Sequence, residues 1–231
     1  MLAHELQVLD NPVWSCLATR HAHLALGDER ARRYLPVISP LAALAEPARG
    51  GGERLASLTA IGDDISVFGS TPPDLGPAWQ IVREARITQM LRSDDRPLPE
   101  GDVDVVALDA SHAAEMLRLV ELTQPGPFRE RTIELGTYIG IQHAGRLVAM
   151  AGERMWIGDL REVSAICTHP DAQRRGYARA LIGRVVNRMR RQRQTPFLHV
   201  YSTNERAIGV YLALGFTRRA EFSVVHARRI R

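Results

Sequence analysis

Apolar positions in the second half of the chain follow two different periods, and the change from one to the other marks out the elements. From Tyr177 the spacing is helical, with Ala178, Leu181, Ile182, Val185, Val186 and Met189 on one side and arginines on much of the other. Before it, Tyr138 to Gln142, Leu147 to Glu153 and Glu162 to Thr168 read as successive strands, the first two joined by the turn His143-Ala144-Gly145-Arg146. This spacing predicts an antiparallel meander of three strands. Beyond the helix, Phe197 to Tyr201 predicts a strand, Glu205 to Leu214 a helix closed by Gly215, and Phe222 to His226 a last strand. Upstream, Val103 to Leu108 alternates as a short strand. Ser111 can cap a helix running through His112, Met116, Leu119 and Val120, Pro125 ends that helix, and a second short helix covers Phe128 to Leu135.

The first half is less regular. Asn11-Pro12, Gly50-Gly51-Gly52 and Thr71-Pro72-Pro73 divide short segments, of which Leu55 to Ile61 predicts a helix, and Ile65 to Phe68 and Trp79 to Leu91 predict strands. No chemical motif stands in this half. The polar segment Arg92 to Asp102, RSDDRPLPEGD, separates the two halves, so the expected division is a smaller α/β N-terminal domain over 1–101 and a second domain over 102–231. The fold class is mixed α/β of the α+β kind, without an internal repeat visible in the letters.

Composition narrows the function classes. At 231 residues, 45% hydrophobic and 24% charged, the chain can bury a core without metal or disulfide staples. No apolar run approaches the roughly 20 residues of a membrane helix, and the N-terminal stretch MLAHELQVLDNP lacks the basic start and apolar middle of a signal peptide. A cytoplasmic location is the expectation. The two cysteines, Cys16 and Cys167, show no paired metal-ligand spacing, and Cys167 sits in an apolar run where a thiol behaves as a small hydrophobe. His21 and His23 have no third ligand nearby, so no metal is expected. All 30 basic residues are arginine, which excludes Schiff-base and lysine-base mechanisms. The run Arg188, Arg190, Arg191 and Arg193 closes a helix, where cations favour the negative dipole end and face water. No aromatic interleaving accompanies it, which argues against nucleic acid as a partner. Trp14, Trp79 and Trp156 read as core or interface anchors, Trp156 lying between the strands Leu147 to Glu153 and Glu162 to Thr168.

The chemistry concentrates between Thr168 and the long helix, in His169-Pro170-Asp171-Ala172-Gln173-Arg174-Arg175-Gly176-Tyr177-Ala178. Gly176 lets backbone approach a ligand closely, small Ala178 leaves room, and the unpaired N–H groups of the helix's first turn point at whatever sits there. That is an anion site, to which Arg174 and Arg175 add charge-assisted hydrogen bonds.

Gln173 to Ala178 resembles the Q/R-x-x-G-x-G/A signature of the GNAT family of N-acetyltransferases, with alanine where glycine is commoner. A second segment, Asn204-Glu205-Arg206-Ala207-Ile208-Gly209-Val210-Tyr211-Leu212-Ala213-Leu214-Gly215-Phe216, resembles the family's N-x-x-A-x-x-x-Y-x-x-x-G-F segment. The resemblance covers the chain from about Val103. It implies a GNAT-like fold, a central and mostly antiparallel sheet flanked by helices, with acetyl-CoA as the acyl donor and an amine as acceptor. It implies that Ile166, Cys167 and Thr168 offer backbone groups to the pantetheine arm. By the same resemblance Gln173, Arg174, Arg175, Gly176, Tyr177, Ala178 and Arg179, with Asn204, hold the cofactor. Tyr211 is the implied general acid. For the base, Glu162 at the start of its strand is the candidate, with Glu153 on the neighbouring strand as rival. The acetyl group would pass directly to the amine, leaving Cys167 no nucleophilic role. The GNAT-like size and mixed pattern of residues 1–101 suggest a degenerate half of a tandem arrangement. The competing expectation is a non-catalytic acyl-CoA-binding or sensing module.

Overall fold

The structure, a computed structural model, describes residues 3–46 and 50–231. Met1 and Leu2 of the N-terminal stretch, and residues 47–49, lie outside the described residues. In chain order the elements are α1 (Pro12–Leu17), β1 (Ala25–Gly27), β2 (Ala31–Tyr34), β3 (Leu41–Leu44), α2 (Gly51–Ser57), β4 (Asp64–Gly69), β5 (Trp79–Leu91), β6 (Val106–Leu108), α3 (Ala113–Thr123), β7 (Tyr138–His143), β8 (Arg146–Ile157), β9 (Leu160–Thr168), α4 (Tyr177–Arg191), β10 (Thr195–Tyr201), α5 (Glu205–Ala213) and β11 (Thr217–Arg229). The strands form one sheet in the order β1-β2-β3-β4-β11-β5-β10-β9-β8-β7-β6. Among the described residues only β3 with β4 and β9 with β10 run parallel, so the sheet is mostly antiparallel as expected. It is continuous across residue 102, because β5 pairs with β10 on one side and β11 on the other.

The meander β7-β8-β9 forms where the alternation placed it. Its first turn reverses through Ala144 and Gly145, both at positive φ (50° and 74°), the backbone that a tight antiparallel hairpin requires. The long helix also keeps its predicted face: Leu181, Ile182, Val185, Val186 and Met189 are buried, packed with Val163, Leu198, Val200 and Phe216 in the largest apolar cluster. Burying side chains of this size contributes roughly 1.5–3 kcal/mol each.

Local boundaries differ from the pattern for identifiable reasons. Ser111 does not cap the third helix. Asp109 instead caps a tight 3-10 turn at Ala110–His112, its carboxylate accepting from the Ser111 amide at 2.9 Å, and that turn leads into the regular helix without a side-chain cap. The Phe128 to Leu135 helix is reduced to a 3-10 turn at Thr132–Leu135, and the strand expected from Val103 begins at Val106. The helix placed at Leu55 to Ile61 starts earlier and stops at Ser57. His21 precedes a 3-10 turn at Ala22–Leu24 that contains His23; His21 is buried against the Tyr34 hydroxyl at 2.9 Å, and His23 is exposed.

The segment Arg92 to Asp102 is extended but tied down. Asn187 on α4 accepts from the Leu98 amide and donates to the Leu98 carbonyl, both at 2.8 Å, and the Arg184 guanidinium reaches the Val103 carbonyl at 2.9 Å. The contact is close because residue 183 has no side chain: a Cβ there would lie 2.2 Å from the Pro99 carbonyl oxygen. Ala in place of Gly inside a helix ordinarily stabilises by up to about 1 kcal/mol. Here Gly183→Ala is expected to destabilise by about 1–3 kcal/mol, the cost of overpacking. Urea unfolding decides the sign, and a gain in stability would refute the close approach.

Candidate active site

Strands β9 and β10 are hydrogen-bonded for three registered pairs only, Thr195 with Leu160, Pro196 with Arg161 and Phe197 with Glu162. Beyond these β10 continues along β5 as far as Tyr201, while β9 continues along β8 as far as Thr168. The two neighbours therefore part, and a cleft opens between them. The inner edge of β9 from Ser164 to Thr168 has no strand partner on this side. A bulge adds to the irregularity: Ser164 opposes Gly152 and Cys167 opposes Met150, so Ala165 and Ile166 together face Ala151, and Ala165 takes a positive φ of 51°.

The loop leaving β9 closes one end of this cleft. A short 3-10 turn at Pro170–Ala172 is followed by Arg174 at φ 63° and Gly176 at φ 81°, and Gly176 is the N-cap of α4 with no side chain capping it. The first intrahelical bond runs from the Ala180 amide to the Gly176 carbonyl at 3.1 Å. The amides of Tyr177, Ala178 and Arg179 precede it and have no partner within the helix. They lie at the positive end of a 15-residue helix dipole.

A groove of about 370 Å³ runs along this surface, and it gathers Ile166, Cys167, Thr168, Gln173, Arg174, Gly176, Tyr177, Ala178, Arg179, Asn204 and Tyr211. Arg175 is the one member of the loop set outside its wall; its guanidinium turns back to the Asp171 carbonyl. Sequence reasoning missed Ala172, Ile182, Arg206, Ala207 and Val210, which also line it. Arg206 and Ala207 stood inside the second motif. The Asn204 carboxamide accepts from the Ala207 amide at 3.1 Å and so caps α5, while Arg206 donates to the Gln173 carboxamide at 3.2 Å, tying α5 to the loop.

A second cavity of about 410 Å³ adjoins the groove and shares Ile166, Cys167, Thr168, Gln173, Asn204, Ala207 and Tyr211 with it. Tyr211 thus stands where the two meet. Its ring packs edge-on against Phe216 at 6.1 Å, and burial raises its hydroxyl to about 12, so it keeps its proton at neutral pH. The Thr168 hydroxyl in the same wall is buried without a hydrogen-bond partner.

The sequence matches the family model described as FR47-like protein over residues 138–225. A crystal structure of a GNAT-family protein from Novosphingobium aromaticivorans DSM 12444 shares 34% identity over 96% of this chain and 98% of its own, with a TM-score of 0.87. The chain belongs to the GNAT family of acetyltransferases. At lower identity, a GCN5-related N-acetyltransferase from Kribbella flavida shares the fold (14% identity, TM-score 0.63), over 96% of this chain and 95% of that one. A GCN5-related N-acetyltransferase-like protein from Streptococcus suis 89/1591 does so too (15%, TM-score 0.59, 99% and 100%). No curated protein matches the sequence.

In this GNAT chain the two carboxylates considered as bases line neither groove nor cavity. Glu162 is 1% exposed, and both its oxygens are engaged: Arg154 donates through Nε and Nη2 at 2.7 Å each, and His199 Nδ1 approaches at 2.8 Å. Burial by itself would push this carboxyl up. The charge and hydrogen bonds of Arg154, with that of His199, outweigh it and hold Glu162 at about 2. Glu162, expected as the base, is thus engaged on both oxygens by Arg154 and His199 behind the cavity wall. Glu153 is likewise bound to Arg161 at 2.8 Å on the neighbouring strand. Trp156 stands away from both spaces, its ring covered by the guanidinium groups of Arg20 at 4.3 Å and Arg161 at 4.6 Å. Both thiols are buried and raised to about 11, Cys16 and Cys167 alike, so neither is a thiolate at neutral pH.

The ion pair extends into a relay. His199 Nε2 lies 3.0 Å from Gln89 Nε2, which also donates to the Leu9 carbonyl at 3.1 Å, and the Gln89 carbonyl oxygen accepts from Arg219 at 2.8 Å. Arg219 in turn pairs with Asp10 at 2.6 Å. Because the amide hydrogens of Gln89 are committed in this way, His199 accepts at Nε2 and donates at Nδ1. Arg154 and His199, neither of them singled out by the sequence, are the members of this network that reach the cavity wall.

Since the Glu162 carboxyl is depressed in the folded state, its stabilisation is complete above about pH 4.5 and drains away as pH falls toward 2. Glu162→Gln is expected to cost about 3–5 kcal/mol at pH 7 by leaving the Arg154 charge buried alone. Its deficit relative to the unsubstituted chain should narrow as pH drops through that window. Urea unfolding at several pH values checks this, and a deficit independent of pH would overturn the ion-pair account.

Proposed function

We propose that the chain is an acetyl-CoA-dependent N-acetyltransferase that moves an acetyl group directly to a primary amine. The observation that carries the reading is the groove: the unpaired edge of β9 runs straight into an uncapped helix N-terminus whose approach is opened by Gly176 at φ 81°. An extended arm ending in a diphosphate fits such a surface. Main-chain amides of Tyr177, Ala178 and Arg179 would take the diphosphate, Arg174 and Arg179 would add charge, and the backbone of Ile166 to Thr168 would take the arm. Gln173 and Asn204 line the same groove, and Arg206 ties α5 to Gln173. The orphaned Thr168 hydroxyl is one more polar atom that a ligand here would satisfy. No group of three or more metal-ligating side chains is present among the described residues, and the reading uses none.

When bound, acetyl-CoA supplies an acetyl thioester as the electrophile. The chain's part is to bind, to orient and to manage protons. Tyr211, protonated at neutral pH and standing at the junction of groove and cavity, holds the proton that the departing sulfur needs. The amine arrives through the adjoining cavity. With Glu162 and Glu153 both bound to arginines, water in that cavity is left as the acceptor of the amine proton. Residues 1–101 take part by supplying Phe68 of β4 and Ile87 of β5 to the cavity wall, which supports their role in shaping the acceptor side. A cytoplasmic setting suits this substrate, and among the described residues no helix is long and apolar enough to cross a membrane.

Two variants test the reading. A Cβ at residue 176 would meet nothing within 4 Å, so Gly176→Glu suffers only the strain of a positive φ while placing a carboxylate at the anion site. It is expected to weaken CoA binding by about 100-fold or more in calorimetry, the loss of two or more charge-assisted bonds. Tyr211→Phe should lower kcat about 100-fold, as loss of a general acid does, with CoA still bound. If the unsubstituted chain fails to bind CoA, the reading fails. If it binds CoA yet releases no thiol with any amine, it is a binding module.

A further inference from the structure

On the acetyltransferase reading the acceptor occupies the cavity of about 410 Å³ beside the groove, and the lining of that cavity restricts its chemistry. Val200, Val224, Phe68, Ile87 and Phe128 form the apolar part of a mixed wall that also holds Gln124, Ser164 and Asn204, and its single full charge, Arg154, is already matched by Glu162 behind the wall. No aspartate or glutamate lines it. A second ammonium on an acceptor would lose its water there without gaining a carboxylate.

The end of the cavity remote from Tyr211 is marked by His226. This residue lies on β11, two strands beyond β10 in the sheet and hence about 10 Å to the side of it. Its Nδ1 lies 2.8 Å from the Ser66 hydroxyl on β4, the residue registered opposite it. Its Nε2 is shut off from solvent and has no hydrogen-bond partner. Burial, and then the charge of Arg83, lower its pKa against the opposing effect of Asp64, so the ring is neutral near pH 7. With Nδ1 engaged by the Ser66 hydroxyl, Nε2 is a hydrogen-bonding atom, acceptor or donor according to the tautomer, that nothing among the described residues satisfies.

From the carboxylate-free lining and this orphaned nitrogen, and resting on the transferase reading, we propose that the acceptor is a small primary amine with an apolar body and a single cationic centre. It carries a hydroxyl, able to donate or accept, at the end opposite the amine, which His226 recognises. The amine lies toward Tyr211, the body between Phe68, Ile87 and Val224, and the hydroxyl toward His226.

The test uses the full chain, acetyl-CoA and three probe amines, with release of free CoA thiol as the readout. Tyramine and 2-phenylethylamine differ only in a hydroxyl at the far end of the ring, and spermidine carries extra ammonium groups. Tyramine is expected to exceed 2-phenylethylamine in kcat/KM by about tenfold, one hydrogen bond's worth, with spermidine far below both. In His226→Phe the ratio of the two aromatic amines should fall to near one, and in His226→Gln, which keeps an acceptor, it should partly survive. A ratio near one in the unsubstituted chain, or one that His226→Phe leaves intact, overturns the role of His226. Turnover led by spermidine overturns the acceptor class while leaving the transferase reading standing. Thiol release with no amine of any class, in a chain that still binds CoA, overturns both.

Discussion

The short parallel contact between β9 and β10 governs the rest of the molecule. Three registered pairs hold the strands together at one end, and past Phe197 each strand finds its partner on the other side only. A sheet that stayed closed here would saturate the inner edge of β9 and leave no backbone groups for a ligand. Because it opens, the bulge at Ala165, the loop with Arg174 and Gly176 at positive φ, and the bare first turn of α4 all face one space. Tyr211 reaches the same space from α5, on the far side of the opening.

The opening has to be held, since parting two strands in mid-sheet removes hydrogen bonds that would otherwise lock their spacing. Part of the holding falls to the buried network at the fork. Glu162 of β9 binds Arg154 of β8 on one side and His199 of β10 on the other, so one carboxylate ties three strands at the point where they diverge. Gln89 and Arg219 carry that tie through β5 and β11 to Leu9 and Asp10. Such a network stabilises only when every member is satisfied, and removing one partner leaves a buried charge or dipole unmatched. This gives Glu162 a structural task at the fork.

The same arrangement explains why the halves on either side of residue 102 are not independent in the sheet. Strand β5, from the first half, sits between β10 and β11, pairing with β11 along nearly all of its 13 residues and with β10 from Ile87 to Leu91. Phe68 and Ile87 reach the cavity because their strands are neighbours of the C-terminal ones, and β11 brings His226 opposite Ser66 for the same reason. The connecting segment does not swing free, since Asn187 and Arg184 of α4 grip its backbone.

Features whose causes are local were legible in the letters. The period of α4, the alternation of β7 to β9, the Ala144-Gly145 reversal, and the glycine ahead of the helix each depend on residues within one or two turns of one another. For that reason the family and the groove-lining loop could be read from Gln173 to Ala178 and Asn204 to Phe216. Boundaries set by side-chain competition were less so: Asp109, not Ser111, caps the turn ahead of the helix, through a geometry that spacing does not encode. What only the tertiary structure decided was the fate of side chains whose partners are distant. Glu162 looks like an exposed strand end until Arg154 and His199, the latter 37 residues away, are brought onto it. His226 has no motif around it, and its place in a cavity wall depends on β11 lying beside β4 across 160 residues of chain. A one-dimensional pattern reports how a residue relates to its near neighbours, whereas protonation, pairing and enclosure depend on groups that meet only when the sheet is assembled.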